Sequence, residues 1–561
     1  MSGKSKTVLI LGAGINGCAI ARELVLNGVN VWLVDQADVA TGATSGSSRL
    51  IHGGLRYLEY AEFDLVKESL AERTRLLRLA PQFVRPLKLW IPAANRFGGA
   101  IPAVGKFFGW KWWPQPQVSR GSALVRAGLI FYDAYAQDET LPKHHCGRAP
   151  VAGAPAFDPQ TYPRLCSYYD GQVPYPERLL ISMLADTQQL AAEQGTDFHL
   201  LTYHRAQLHG TTVEISPAEG LLAGSVAATN ATFEPDLIVN ATGAWVDETL
   251  QRLDIPAQRL MGGTKGSHLF SFSPKLKQQL NGDQGIYAEA RDGRPIFITP
   301  LADTVLIGTT DVKFDGPPET ARATEEEIQY LIDSVNHILP NAQLTESDIA
   351  FHYSAVRPLP YVDARTTAAI TRRHQFVEHA HGKLPVMSIV GGKLTTMRSL
   401  AEQAVVDILK HFERVPAVNS ENRPFPGSEG YPASPSGVEA TQRAIAERTQ
   451  FPLPSVIAVW MLHGTKCESL LAAASNRDLL PDCELPEAVV RHAIAAENAV
   501  TLGDLVERRT MLLYHPRLTR ACLRRMAELL AEASRLPAQE IDAATTAECA
   551  RLAARFGKTV T

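Results

Sequence analysis

Apolar residues bunch into short runs near the start of the chain and again in its middle, then give way to helical spacing toward the end. Thr7-Val8-Leu9-Ile10-Leu11 has the length of one buried strand, Cys18 to Leu24 has helix-forming composition, and Val29 to Val34 is a second apolar run, so the start predicts a β-α-β unit. Phe63, Val66, Leu70 and Leu77 recur at helical spacing above a charged face and predict a helix over 62–79 that Pro81 stops. Leu237-Ile238-Val239 predicts another buried strand, ending in Asn240-Ala241-Thr242-Gly243. Runs at 268–272, 296–298, 304–307 and 387–390, with an acidic helical stretch at 324–338, make the middle mixed α/β. Residues 413–438 hold Pro416, Pro424, Pro426, Pro432 and Pro435 among Gly and Ser, a composition that resists regular structure and predicts a linker. Beyond it Leu518, Cys522, Met526, Leu529 and Leu530 mark one amphipathic helix among several, and β-branched runs are scarce, so 439–561 reads as all-helical.

Composition sharpens this picture in three places. With 561 residues, 45% hydrophobic and 20% charged, the chain is too long for one domain and too apolar for a disordered or fibrous protein. The net charge of −4 conceals an asymmetry: the sixty residues from Arg73 to Tyr132 carry ten Lys or Arg and no acid, which leaves −14 for the rest. Inside that island, Trp90, Phe97, Phe107, Phe108, Trp110, Trp112 and Trp113 stand with Arg96, Lys106 and Lys111. Indole rings and basic side chains suit an anionic bilayer surface, reached through residues 86–132, although the same aromatics would also suit packing on the protein or at a subunit contact. Pro92, Pro102, Gly98, Gly99 and Gly109 argue against one regular helix there. No nucleic-acid module accompanies the basic residues, so nucleic acid is not an expected partner.

The seven cysteines (Cys18, Cys146, Cys166, Cys467, Cys483, Cys522, Cys549) are odd in number, scattered and never spaced C-x-x-C, which disfavours a disulfide framework and a metal site and fits a reducing compartment. The N-terminus runs from Met1 to Lys6 straight into a strand, without the pattern of a secretory signal, and no stretch has the length and apolarity of a spanning helix.

Gly12-Ala13-Gly14-Ile15-Asn16-Gly17 falls between strand and helix, where absent side chains permit a tight turn and aim backbone N–H groups and the helix dipole at a pyrophosphate. Asp35 closes the second strand, placed to accept from a ribose hydroxyl. This unit alone does not separate NAD from FAD. Ala241 and Gly243, and a third glycine-rich entry at Val390-Gly391-Gly392-Lys393-Leu394-Thr395-Thr396, tilt the choice to FAD, which offers a flavin carbonyl as well as a pyrophosphate.

The segment from Thr41 through Thr44, Ser45, Ser47, Ser48, Arg49, His52, Gly53, Gly54, Arg56 and Tyr57 to Glu59 resembles the flavin-contacting segment of the FAD-dependent, aerobic respiratory glycerol-3-phosphate dehydrogenases. Lys265-Gly266-Ser267-His268, Gly308-Thr309-Thr310-Asp311, Ser354 to Leu359, Ile370-Thr371-Arg372 and Gly391 to Thr396 resemble further motifs of that family in the same order, and Asp504 to Thr510 resembles one more weakly. The resemblance implies a Rossmann-like FAD-binding domain (1–85, 160–250, 345–412), an interposed mixed α/β substrate or cap domain (86–159, 251–344) and the C-terminal helical domain.

It also implies oxidation of sn-glycerol 3-phosphate at C2, hydride passing to flavin N5 and electrons to a quinone. The alternatives are an oxidase using oxygen, a flavoenzyme acting on another small alcohol or amine, and a flavin-binding redox sensor without turnover. The implied setting is the cytoplasmic face of the inner membrane, with a homodimer allowed. Arg357 is implied near the substrate hydroxyl, and Arg56, Tyr57, Lys265, Thr310, Arg372 and Lys393 around the substrate. A phosphate dianion needs several fixed donors, and a guanidinium offers a fork where an ammonium offers a point charge. His52 and His268 are candidates for the base that takes the hydroxyl proton, since an unperturbed imidazole suits that task. The implied cofactor set is Gly12, Gly14, Gly17, Asp35, Thr44, Ser45, Ser47, Ser48, His52, Gly53, Gly54, Ala241, Gly243, Gly392, Lys393, Leu394 and Thr395. Where many relatives carry an Asp-rich turn, this chain has Tyr169 to Leu179 with Pro174 and Pro176, which predicts a reshaped wall.

Overall fold

The structure, a computed structural model, describes residues 5–55, 57, 62–96, 121–136, 140–218, 230–362 and 373–560. Arg56, Arg372 and the aromatic stretch 97–113 lie outside the described residues.

Three apolar runs of the sequence meet at the centre of a six-stranded sheet. Its order is Gln375–His381, Leu384–Val390, Leu237–Asn240, Thr7–Leu11, Asn30–Asp35 and Phe198–Thr202, parallel except at the first strand. Leu9 stands opposite Trp32 on one side and Ile238 on the other. A parallel sheet buries both faces, which is why these strands read as continuous apolar runs without alternation. Helices Ile15–Leu26, Pro176–Gln194 and Met397–Lys410 cover one face, and a three-stranded antiparallel sheet of 204–233 packs against the other through Val213 and Ile215.

A larger mixed sheet carries the Thr264–Ser271 strand, paired along its length with Ile349–Arg357. Helix Glu325–Ile338 covers this sheet, and its predicted start is a full capping box, Thr324 against Glu327. From Pro435 onward the described chain is helical apart from one isolated bridge, Leu479 to Pro486. Trp460, Val490, Leu505 and Met526 form a core with Phe270, Phe351 and Tyr353 of the mixed sheet, so the helical domain shares a core with its neighbour.

The segment between is irregular, as its prolines require, yet tied down. Asn27 binds the backbone of Ala417 and Val418, Arg423 pairs with Asp186 at 2.8 Å, and Phe425 joins the core of the parallel sheet.

The cysteines depart from expectation at one pair. Cys146 and Cys166 face each other across paired strands His145–Arg148 and Arg164–Gln172, 4.1 Å apart at Cα, and form a disulfide. Strand register brings them together, which spacing alone does not reveal. Among the described residues no helix is long and apolar enough to cross a membrane.

Candidate active site

The first turn is shaped by what cannot fit in it. Gly12 has φ +101°, and a Cβ there would lie 2.7 Å from the Ala241 carbonyl oxygen; a Cβ on Gly17 would lie 1.9 Å from the Gly12 carbonyl oxygen. Glycine at both positions lets strand, helix and the Ala241 turn close on one another. Asp35 accepts from the backbone N–H groups of Ala13 at 2.7 Å and Ala37 at 2.9 Å, which fixes the turn against the second strand. Burial pushes its carboxyl up to about 6, against the pull of those two bonds. Thr44 Oγ1 accepts from the Ile15 N–H at 3.1 Å and ties the flavin-loop motif to the start of the helix.

A cavity of about 490 Å³ opens beside this turn, within the size range of small-molecule and cofactor sites. Gly12, Gly14, Asp35, Thr44, Ser45, Ser47, Ser48, His52, Ala241, Gly243, Gly392, Lys393, Leu394 and Thr395 all line it, from five separate segments. Gly17, Gly53 and Gly54 stand behind it and provide clearance: a Cβ on Gly53 would meet Leu70 at 2.4 Å, and one on Gly54 would meet the Tyr57 ring at 2.0 Å. Asn16 lines the cavity with its Oδ1 buried and without a partner, and Gly392, at φ +93°, leaves room for that side chain. An orphaned acceptor beside glycine-cleared backbone N–H groups is what a dinucleotide with hydroxyl and imide donors would satisfy. The donor set therefore fits FAD.

The loop itself is held from below by Arg49, wholly buried at φ 57°. Its guanidinium takes Glu177 at 2.7 and 3.1 Å, the Pro174 carbonyl at 2.5 Å and the Ser45 carbonyl at 3.2 Å, and it bonds the hydroxyl of Tyr514 from the helical domain. Tyr353 donates to the Ser47 carbonyl at 2.6 Å. The Pro174 and Glu177 stretch thus anchors the flavin loop from beneath. Asp170 in the preceding strand pairs with Arg73 at 3.1 Å and receives the Tyr132 hydroxyl.

Arg357, His268 and Tyr57 also line the cavity, with His52 and Lys393. Arg357 donates to Asp311 at 3.0 Å, Thr309 Oγ1 at 2.9 Å and the Thr310 carbonyl at 3.0 Å. A Cβ on Gly266 would lie 2.2 Å from its Nη2, so this glycine makes the space in which the guanidinium lies. The Lys393 ammonium sits 3.9 Å above the Tyr57 ring and donates to Ser69 Oγ at 3.3 Å. The His52 backbone N–H donates to Thr395 Oγ1 at 3.2 Å, joining the first and third glycine segments. His268 Nε2 lies 2.9 Å from Ser48 Oγ, while its Nδ1 is buried without a partner. Burial, and then repulsion from Arg357 and Arg49, pulls the His268 imidazole down to about 3.

Two expected substrate ligands point elsewhere. Lys265 pairs with Glu327 at 2.6 Å and donates to the Arg322 carbonyl, and Thr310 donates to the same Glu327 at 2.7 Å. Lys265 lies on the opposite side of the strand from Gly266 and His268, because successive residues of a strand alternate in direction, and Thr310 accepts from the Ser267 N–H on that same side. Sequence reasoning missed Asn16, Glu177, Tyr353 and Tyr514, whose signals are single residues outside any spacing pattern.

The chain matches the model described as "FAD dependent oxidoreductase" over residues 7–398 and that of the "C-terminal domain of alpha-glycerophosphate oxidase" over 418–541. It is 34% identical to a glycerol-3-phosphate dehydrogenase of Synechocystis sp., covering 90% of this chain and 88% of the relative. It is 31% identical to a D-erythritol 1-phosphate dehydrogenase of Brucella abortus (91% and 94% covered) and 30% identical to the aerobic glycerol-3-phosphate dehydrogenase of Escherichia coli (90% and 94% covered). Its fold is that of the glycerol-3-phosphate dehydrogenase of Bacillus halodurans solved with FAD, at a TM-score of 0.71 and 20% identity over 99% of this chain and 95% of that one. Glycine cradle, orphaned acceptor and sequence likeness agree: the chain is an FAD-dependent oxidoreductase and belongs to the glycerol-3-phosphate dehydrogenase family.

Proposed function

We propose that this enzyme oxidises sn-glycerol 3-phosphate to dihydroxyacetone phosphate. FAD, when bound, would supply the two-electron acceptor for the C2 hydride at flavin N5. The observation that carries the reading is that Arg357, Lys393, Tyr57 and His52 all line the cofactor cavity, with the Lys393 ammonium over the Tyr57 ring. Lys393, with Arg56 and Arg372 by resemblance, supplies charge for the phosphate dianion, and Arg357 orients the substrate oxygens. The hydroxyl proton of C2 goes to His52. His268, held neutral with its imidazole near 3, is too weak a base for that task and positions Ser48 instead. Anaerobic addition of sn-glycerol 3-phosphate to the purified holoenzyme should bleach the oxidised-flavin absorbance, and an unchanged spectrum would refute the reading.

A second substrate deserves the same assay, because the D-erythritol 1-phosphate dehydrogenase is as similar to this chain as the E. coli glycerol-3-phosphate dehydrogenase. Both are phosphorylated polyols, and a longer one needs the same phosphate contacts with more room at C3 and C4. The ratio of kcat/KM for the two decides between them.

The electron acceptor proposed is a quinone, reached from an anionic membrane surface on the cytoplasmic face, with the part of residues 86–132 beyond strand Arg85–Ala93 as the docking region; Trp90, expected among the docking aromatics, is 1% exposed and donates to Gln284 inside the mixed sheet, so it takes no part. Helix Ser122–Ala136 supports this, since Ile130 (52% exposed), Phe131 (56%) and Tyr135 (37%) look outward beside Arg126. Removing residues 96–113 should abolish co-sedimentation with anionic vesicles and slow quinone reduction. Full sedimentation and full rate would end the docking proposal, and peroxide release in air at the same rate would favour an oxidase.

A further inference from the structure

The helical domain contributes wall to the cofactor cavity: Glu507, Leu513, Tyr514, Arg555 and Phe556 line it together with the Gly12 turn. A buried ion cluster holds the domain in place. Asp38, three residues past Asp35, takes Arg509 at 2.7 and 2.8 Å and Arg508 at 2.5 Å, and Arg508 reaches on to Asp504 at 2.9 Å. Among the described residues of the helical domain beside this wall, Arg508, Arg509 and Arg551 each have a carboxylate partner, and Arg555 does not. Arg555, on the last helix Ile541–Phe556, is half-buried, and among the described residues no hydrogen bond or ion pair engages its guanidinium. The guanidinium stands 5.4 Å from the Phe556 ring and feels the Glu507 charge without a hydrogen bond to it.

The nearby carboxylates are already committed. Glu507 gives one oxygen to Arg551 and the other to Arg508 at 2.9 Å, and Glu319, also on the cavity wall, accepts from the Trp245 indole at 2.9 Å. Arg322, on the cap segment that lines the same cavity, donates Nη1 only to the neutral carbonyls of Glu319 and Ala321. Burial draws the Arg555 pKa down; Glu507 opposes this, and the cations Arg508, Arg551 and Arg322 add to it. Desolvated like charges without a counterion are unfavourable, and an anion in the adjoining space would relieve them.

We propose that Arg555 and Arg322 form an anion seat in the wall of the cofactor cavity, taking a phosphate or pyrophosphate group. Through this seat the helical domain holds a phosphorylated ligand rather than only covering the sheet. The chemistry has two sources, the FAD pyrophosphate and the substrate phosphate, and the inference rests on the cavity holding FAD. The pyrophosphate is the better match by position. The Arg322 segment stands on Trp245 through Glu319, and Trp245 in turn lies against Gly42, 3.2 Å from where its Cβ would be, beside the Thr44 and Gly14 cradle.

The test uses holoenzyme carrying Arg555→Gln, Arg322→Gln and both, with flavin release on dilution followed by fluorescence and KM followed by flavin bleaching. For the pyrophosphate, the double variant should lose FAD about tenfold more readily with KM unchanged; for the substrate phosphate, KM should rise about tenfold with FAD retention unchanged. Retention and KM both within twofold of wild type, in folded protein, would overturn the seat. Arg322→Gln, on the half-buried irregular segment after Pro318–Thr320, keeps the test alive where Arg555→Gln fails to fold. A wild-type chain that takes no FAD would sink the cofactor reading instead. The seat is then read with inorganic pyrophosphate alone, whose upward shift in Tm should vanish in the double variant, and an undiminished shift would overturn it.

Discussion

The two faces of the Thr264–Ser271 strand carry the same motif to opposite ends. Gly266 and His268 look into the cofactor cavity, where Arg357 lies over Gly266. Lys265 and Ser267 look the other way, onto Glu327. Both faces hold a cation against a carboxylate, yet the pairs differ in burial. Lys265 and Glu327 are 6% and 8% exposed and match each other's charge in a closed pocket, whereas Arg357 and Asp311 are 21% and 25% exposed and Arg357 lines the cavity. A closed ion pair fixes structure; an open one can take a ligand.

The comparison is broken most directly at its two cations. Arg357→Ala should lower kcat/KM for the polyol phosphate by about a thousandfold, about 4 kcal/mol of lost transition-state binding, with FAD content unchanged. Lys265→Met should leave kcat/KM within about threefold. Steady-state kinetics on the two variants, normalised to bound flavin, would overturn the assignment if the order of the two effects were reversed. Gly266→Ala tests the same face by geometry. A Cβ there would stand 2.2 Å from the Arg357 Nη2, so the guanidinium must shift, and kcat/KM should fall about a hundredfold while flavin absorbance at purification stays at the wild-type level.

This division shows what the sequence makes legible. The parallel core was readable because its strands are unbroken apolar runs, and the first turn because Gly12, Gly14, Gly17 and Asp35 obey a spacing with a steric cause. The acidic helix start at Thr324 was readable for a similar local reason. The motif around Lys265 names residues without saying which side of a strand they face, and the register of 264–271 with 349–357 decides that. Cys146 and Cys166 met for the same reason, through pairing across a loop. The Asp38 cluster joins residues 470 positions apart, a distance at which local pattern carries no information.

On the closed face the larger effect is on stability. Glu327→Gln removes the charge that balances Lys265 and should cost about 3 kcal/mol, since a buried cation is left without its counterion. Denaturant unfolding should show the loss, and kcat/KM of the folded fraction should stay close to wild type. A variant as stable as wild type but slow in catalysis would move Glu327 into the active site. Restoring neutrality with Lys265→Met in the Glu327→Gln background should recover most of the stability, which separates charge imbalance from lost packing.

The smallest effect expected is at His268, and it concerns sign more than size. Its imidazole lies near 3 in the folded chain, against about 6.5 when exposed, so between these values the unfolded chain binds the extra proton. Its neutral form therefore favours the fold above about pH 6.5, and that contribution is lost as pH falls toward 3. Across pH 5 to 8 it stays neutral and cannot supply the acid limb of a rate profile. His268→Gln, which keeps a polar contact for Ser48, should leave the acid limb of kcat/KM where it is in wild type and shallow the loss of stability on acidification. His52→Gln should remove the limb. A limb that vanished with His268→Gln, and survived His52→Gln, would exchange the two histidines' roles and place the proton acceptor on the open face of the strand, beside Arg357.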